Sequence, residues 1–220
     1  MIIVHHLENS RSQRVLWLLE ELGLPYEVKR YERDPKTMAG SPDLYKIHPL
    51  GKSPVIEEDG IIVAETGAIL EYIREAHGLG DMAVEPGSAQ ARAVTYWLHY
   101  AEGSAMNPLL LKLIFTRLPL GASALLRPLV KGVADKALKT FVDPRVAQHV
   151  AYWEGELSRT GWFAGDKMTL ADIMMSFPLE GVAARAGVEN TPAIGDFLKR
   201  IHARPAYQAA LEKGGPYDYA

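Results

Sequence analysis

The chain has 220 residues, 48% of them hydrophobic and 23% charged, with a formal net charge of −3 and no cysteine. This is the composition of a globular protein able to bury a core, and its charge excludes the strong basic field that gathers nucleic acid or an acidic membrane surface. The missing cysteine excludes disulfides, zinc–thiolate sites, Cys-x-x-Cys redox chemistry and a protein thiol nucleophile together, so sulfur chemistry here must use a ligand's sulfur.

The segment MIIVHHLENSRSQR is not a basic leader followed by an apolar run. No apolar stretch approaches the ~18 residues that span a bilayer, and Lys112 interrupts NPLLLKLIF. The expected location is the cytoplasm, with no membrane partner and a small polar or apolar ligand.

Residues 2–6 read as a short strand, and the polar residues 8–12 precede VLWLLEELGL, whose apolar positions continue round a helix to Gly23. YEVKRYER is a second strand, and with a helix between them the two strands are expected to pair in parallel. His5 and His6, adjacent on a strand, point to opposite faces and cannot chelate one metal together; no metal is expected. DPKTMAGSPDLYKIHPLGK holds too many breakers for a long helix and reads as an irregular loop with one turn near residues 43–46.

SPVIEE and IIVA flank Asp59-Gly60, the signal for a type I′ hairpin, and a helix is expected from Thr66 to His77. The first part is therefore β-α-β, loop, β-β-α on a small mixed sheet. GLGDMAVEPGS reads as a linker, and everything beyond it has helical period, with breaks at Pro119, Pro128 and Pro144 and later helices in MTLADIMMSFPLEGVAARAG and PAIGDFLKRIHARP. The expected domains are residues 1–79, a linker 80–87, and an all-helical domain 88–220.

Two places carry chemistry. Pro54, at the first position of an interior strand, is either a tolerated edge feature or, with a cis Ser53–Pro54 bond, a device that turns the Ser53 backbone outward toward an extended peptide ligand. Glu65 and Thr66 sit at a strand-to-helix junction. Either Thr66 caps the helix while Glu65 complements its dipole, or the helical N–H groups and the hydroxyl hold a carboxylate while Glu65 holds an ammonium, which together would recognise an α-amino acid head group.

These residues resemble the glutathione S-transferase superfamily. GKSPVI is similar to the family segment that ends in a cis-proline, and ETGAILEYI to its Glu/Gln-Ser-x-x-Ile motif, with Thr66 where serine is usual. GDKMTLADI is similar to the family's cap motif, with Thr169 as N-cap, Asp172 at the third helical position and Met168 against Ile173. SRSQRVLWLLEELGLPYE looks like bacterial and fungal members.

The resemblance implies an α/β N-terminal domain of thioredoxin-like type followed by an all-α domain, and a homodimeric enzyme that binds glutathione as co-substrate and conjugates its thiolate to a hydrophobic electrophile. The alternatives are a non-catalytic binding or regulatory protein of the same fold, or a glutathione-dependent peroxidase, isomerase or dehalogenase. It also implies that Lys52, otherwise a surface lysine, meets the glycyl carboxylate, with Ser53, Pro54, Glu65 and Thr66 holding the rest of the tripeptide.

Lowering a thiol pKa of about 8.5 by about two units means stabilising the anion by roughly 2.7 kcal/mol, within reach of one charge-assisted hydrogen bond and a helix N-terminus. Family members place the activating group after the first strand. There the tyrosine position is filled by His5-His6-Leu7, leaving Asn9, Ser10 and Ser12; Ser10 is preferred, Asn9 is close behind, and both are also natural helix caps. Arg11 and Arg14 are expected in solvent, with one alternatively facing an anion, and Glu102 is expected as a solvated carboxylate or, alternatively, as a group that reaches across a dimer. Tyr96, Trp97, Tyr100 and Met106 form a stripe typical of core or dimer interface, while the resemblance implies Tyr100, Met106 and Leu110 in the pocket for the electrophile.

Overall fold

The computed structural model describes residues 1–34, 37–186 and 190–220. Pro35 and Lys36 of the expected loop, and Gly187 at the end of an expected helix, lie outside them.

Four strands, β1 (Ile2–Leu7), β2 (Tyr26–Tyr31), β3 (Val55–Glu58) and β4 (Ile61–Ala64), form one mixed sheet in the order β2-β1-β3-β4. β1 and β2 run parallel, Ile2 opposite Tyr26 through Leu7 opposite Tyr31, because helix α1 (Gln13–Glu21) intervenes. β3 is antiparallel to both β1 and β4, and the hairpin turns at Asp59 (φ 49°) and Gly60 (φ 84°), the positive pair a type I′ turn requires. Helix α2 (Thr66–His77) comes immediately after β4 and packs on β3 and β4. In the loop before β3 a short 3-10 turn, Pro42–Lys46, begins at Ser41, whose hydroxyl accepts from the Asp43 N–H.

Beyond His77 the described elements are helical: α3 (Ala89–Tyr100), α4 (Met106–Arg117), α5 (Arg127–Ala137), α6 (Asp143–Thr160), α7 (Leu170–Ala186), α8 (Pro192–His202) and α9 (Pro205–Gly214). Pro128 and Pro144 stand in the first turns of α5 and α6, where a missing N–H costs nothing. Pi-helical turns at Ala101–Ala105 and Leu138–Val142 join α3 to α4 and α5 to α6 without a break in the chain's helical course.

The two halves meet across α1. Residues 13–19 are all buried, as an apolar helix must be when α2 lies on one flank and α7 and α9 on the other. Trp17 packs edge-on to Tyr207 of α9 with ring centroids 5.3 Å apart.

α7 is equally buried and starts with a reciprocal cap. The Asp172 carboxylate accepts from the Thr169 N–H (2.8 Å), the Thr169 hydroxyl (3.1 Å) and the Phe163 N–H (2.9 Å), and the Thr169 hydroxyl accepts from the Ala171 N–H (3.2 Å). Further along α7, Pro178 has no N–H to give the Met174 carbonyl four residues back. Arg14 of α1 fills the gap, its Nη1 donating to that oxygen at 2.7 Å.

Candidate functional site

Three adjoining clefts open between the end of β1, the start of α2 and the helices α4 and α7. The inner one is lined by Lys52, Ser53, Pro54, Glu65 and Thr66, so all five residues expected around a tripeptide lie on one wall. The middle one adds Asn9 and Ser10, and the outer one Met106 and Leu110; Arg11 borders all three.

The Ser53–Pro54 peptide bond is cis. The Ser53 hydroxyl donates to the His5 carbonyl at 2.7 Å and accepts from the Leu7 N–H at 3.1 Å, which ties this turn to β1. Lys52 stands exposed beside it.

Glu65 is the residue before α2 and holds φ at 71°, a conformation few non-glycine residues adopt. Its exposed side chain makes no capping bond and has no polar partner among the described residues. Thr66 is therefore not the cap expected of it. It is the first helical residue, buried, and its hydroxyl accepts from Arg14 Nη2 at 3.2 Å. The first turn of α2 carries no side-chain cap and no acidic residue, so its N–H groups and the positive end of its dipole face the cleft unneutralised.

Arg14 and Glu102 do not stand in solvent, as their sequence contexts alone suggest. Arg14 is 1% exposed, and its Nη2 pairs with Glu102 Oε1 at 2.5 Å; Arg11 Nε lies 3.0 Å from the other oxygen of the same carboxylate. Burial pulls the Arg14 pKa down while Glu102 opposes the shift, and the guanidinium stays charged. Glu102 sits in the pi-helical turn, which aims it back at α1. A chain of contacts thus runs from the α2 N-terminus through Thr66, Arg14 and Glu102 to Arg11 at the mouth of the outer cleft.

Asn9 has φ of 48° and is held by the C-terminal tail: its Nδ2 donates to Asp218 Oδ2 at 2.9 Å and its Oδ1 accepts from the Asp218 N–H at 2.8 Å. One Nδ2 proton is left over. Ser10 is 6% exposed and pairs with Ser12 Oγ at 2.8 Å, and Ser12 in turn lies 2.8 Å from His6 Nδ1. Ser12, fully buried, belongs to the support of the turn rather than to the cleft wall.

His6 stands at the buried end of this hydroxyl chain. Burial, followed by the charge of Arg30, lowers its pKa from 6.5 to about 4, so the ring is neutral at pH 7 and carries one N–H. Ser12 Oγ has one proton and three neighbours within hydrogen-bond distance, Ser10 Oγ (2.8 Å), His6 Nδ1 (2.8 Å) and the Leu7 carbonyl (3.3 Å), and the His6 ring also bonds the Gly214 backbone. Acid destabilises this arrangement: between pH 6.5 and about 4 the unfolded chain binds a proton on His6 that the folded chain refuses, so stability falls as pH drops through this window. A His6→Asn variant is expected to show a flatter decline over that range in urea midpoints measured at each pH.

His5 and His6 do face opposite sides of the sheet: His5 Nδ1 pairs with the Tyr31 hydroxyl at 2.8 Å and Nε2 with Glu57 at 2.7 Å. Tyr100 does not join Met106 and Leu110. It is turned into an aromatic cluster with Trp97, Tyr152 and His149, its hydroxyl bonded to His149 Nδ1 and to Trp153 Nε1 (3.1 Å), where burial pushes its pKa up to about 12. Met106 is buried on the cleft floor and Leu110 is 49% exposed at its rim.

The family model for the glutathione S-transferase N-terminal domain matches residues 1–75, and that for the C-terminal domain residues 115–205. Over 223 positions the chain is 37% identical to glutathione S-transferase 1 of Saccharomyces cerevisiae, covering 97% of this chain and 95% of that one. The chain belongs to the glutathione S-transferase family. Glutathione S-transferase 3 of Schizosaccharomyces pombe is 34% identical over 97% of this chain and 88% of its own. The same architecture occurs in a glutathione S-transferase from Actinobacillus pleuropneumoniae, with TM-score 0.82, 29% identity, and 100% and 95% of the two chains covered. A sphingomonad glutathione S-transferase solved in complex with glutathione superposes with TM-score 0.73 at 25% identity, covering 97% of this chain and 98% of that one.

In this glutathione S-transferase the residues that sequence reasoning puts in solvent, Arg11, Arg14 and Glu102, connect the two ends of the site. Pro178 is the available signal, since it leaves a buried carbonyl that a long donor must satisfy. Among the described residues, no helix is long and apolar enough to cross a membrane.

Proposed function

We propose that this glutathione transferase binds glutathione along the inner cleft, holds its sulfur as a thiolate at the Asn9–Ser10–Arg11 turn, and transfers it to an apolar electrophile in the outer cleft. The observation that carries the reading is the start of α2. An unpartnered carboxylate (Glu65) and an uncapped helix N-terminus (Thr66) stand side by side, matching in sign the ammonium and carboxylate of a γ-glutamyl group. Lys52, on the same wall, complements a glycyl carboxylate.

The sulfur then lies between these anchors, beside Ser10 and Arg11. Arg11 supplies positive charge and the Ser10 hydroxyl a hydrogen bond, each favouring the thiolate over the thiol. Asn9, fixed from both ends by Asp218, holds the turn and keeps one N–H in reserve. In the transfer step the thiolate forms a carbon–sulfur bond as the leaving group departs with the bonding electrons, and the thiol proton has already passed to solvent.

A Ser10→Ala variant is expected to lose about tenfold in kcat/KM toward a chlorodinitrobenzene at neutral pH, the loss shrinking at higher pH as free thiolate becomes abundant. A loss that stays constant with pH would place the activating group elsewhere. The reading includes a homodimer, supported by the exposed Ile61 and Ile62 on edge strand β4 and Tyr96 on α3. Sedimentation equilibrium is expected to give twice the chain mass, and a monomer at micromolar concentration would remove this part of the reading.

A further inference from the structure

We propose that the outer cleft selects electrophiles bearing an anionic group on an apolar body, with Arg117 and Arg185 reading the charge; this rests on the thiolate reading above. The floor of the cleft is apolar, with Met106, Leu109, Leu113 and Phe177. Around it stand four arginines, Arg11, Arg33, Arg117 and Arg185, against two acids, Glu8 and Asp218. A cleft built only for neutral apolar compounds has no use for such a rim.

Among the described residues, three of these four arginines are not paired with an acid. Arg11 is paired with Glu102, but among the described residues no carboxylate lies within ion-pair distance of Arg33, Arg117 or Arg185. Arg33 donates to the carbonyls of Met38 (3.1 Å) and Asn9 (3.4 Å), and Arg185 to the Gly181 carbonyl (3.4 Å) and the Tyr219 hydroxyl (3.3 Å), acceptors that orient a guanidinium without neutralising it. Glu8 accepts from the Arg33 backbone N–H at 2.9 Å and Asp218 from Asn9, neutral donors that leave both carboxylates charged, so the four arginines outnumber the acids of the rim without being paired by them.

Arg117 and Arg185 close the last turns of α4 and α7, where a cation complements the helix dipole. That accounts for a basic residue at each helix end. It does not account for both, with Arg33 from the loop after β2, converging on one apolar floor. Nor does glutathione explain them, since neither Arg117 nor Arg185 lines the inner or middle cleft. Beside a low-dielectric floor a guanidinium fork attracts a carboxylate more strongly than it would in open water.

The test compares a chlorodinitrobenzoate with its methyl ester. In both, the thiolate sulfur bonds to the chlorine-bearing carbon and chloride leaves with the electron pair, and each rate is divided by the uncatalysed rate with glutathione. The acid is expected to be favoured about threefold to tenfold in kcat/KM, chiefly through KM, and the preference is expected to shrink with added salt. Arg117→Gln and Arg185→Gln are each expected to lower the preference, and Arg117→Lys to keep most of it. Arg117 is exposed, so its substitution spares the fold. Equal corrected rates for acid and ester, or a preference untouched by both glutamine variants, would overturn this inference alone. No glutathione-dependent conversion of either compound would overturn it together with the thiolate reading.

Discussion

An Arg14→Met variant is expected to lose about 3 kcal/mol of folding stability, seen as a fall in Tm of roughly 6–10 °C. Methionine fills much of the same volume, so the loss comes from charge and hydrogen bonds rather than from a cavity. Five acceptors are abandoned: the Met174 carbonyl that Pro178 cannot serve, the Met174 sulfur, the Arg11 carbonyl, the Thr66 hydroxyl and Glu102 Oε1. The loss sits at the low end for a broken buried ion pair because Glu102 is 31% exposed and keeps Arg11 at 3.0 Å. Adding Glu102→Gln removes the stranded charge and should recover part of the stability. Because Arg14 also fixes Thr66, affinity for glutathione should fall in the single variant even well below its Tm. A variant within about 0.5 kcal/mol of the parent would mean that the buried network contributes nothing net.

Glu65→Gln is expected to weaken glutathione binding about tenfold to thirtyfold, the scale of one charge-assisted hydrogen bond on a partly exposed carboxylate. The substitution keeps shape and backbone conformation and removes only the negative charge. A glutathione analogue without the γ-glutamyl amino group provides the control. It should bind parent and variant equally, because the group that Glu65 would pair with is gone, and the four affinities close a double-mutant cycle. Calorimetric titration measures them all. A variant that discriminates the two ligands as strongly as the parent does would remove Glu65 from the ammonium site.

Much of this can be read from the residues in order. Asp59-Gly60 announces the hairpin because that turn demands positive φ at both positions. Parallel pairing of β1 and β2 is a consequence of the helix between them. The wall of the inner cleft is legible for a similar reason: Lys52 through Pro54 and Glu65 with Thr66 are each contiguous, so local geometry alone brings their members together.

The illegible parts depend on contacts distant in sequence. Arg14 looks like a solvent residue when its helix is taken alone, yet α1 has no solvent side, because the helical half covers the face that the sheet and α2 leave open. Thr66 looks like a cap because hydroxyls usually are, and the cap position falls to Glu65 one residue earlier. Tyr100 and Met106 share one apolar stripe in the sequence, but the pi-helical turn between them adds a residue to the helical repeat. That extra residue rotates α4 relative to α3, so Tyr100 faces α6 while Met106 faces the cleft. Asn9 is gripped by Asp218, 209 positions away, a pairing no local pattern announces.

The central claim is that the turn after β1 stabilises a thiolate on glutathione anchored at α2. Its most direct measurement is the ultraviolet thiolate absorbance of glutathione bound to the parent protein, titrated against pH. The account predicts an apparent thiol pKa at least about one unit below the ordinary value near 8.5. A bound thiol that titrates at its ordinary value, on a protein that calorimetry shows to be saturated with glutathione, would contradict it.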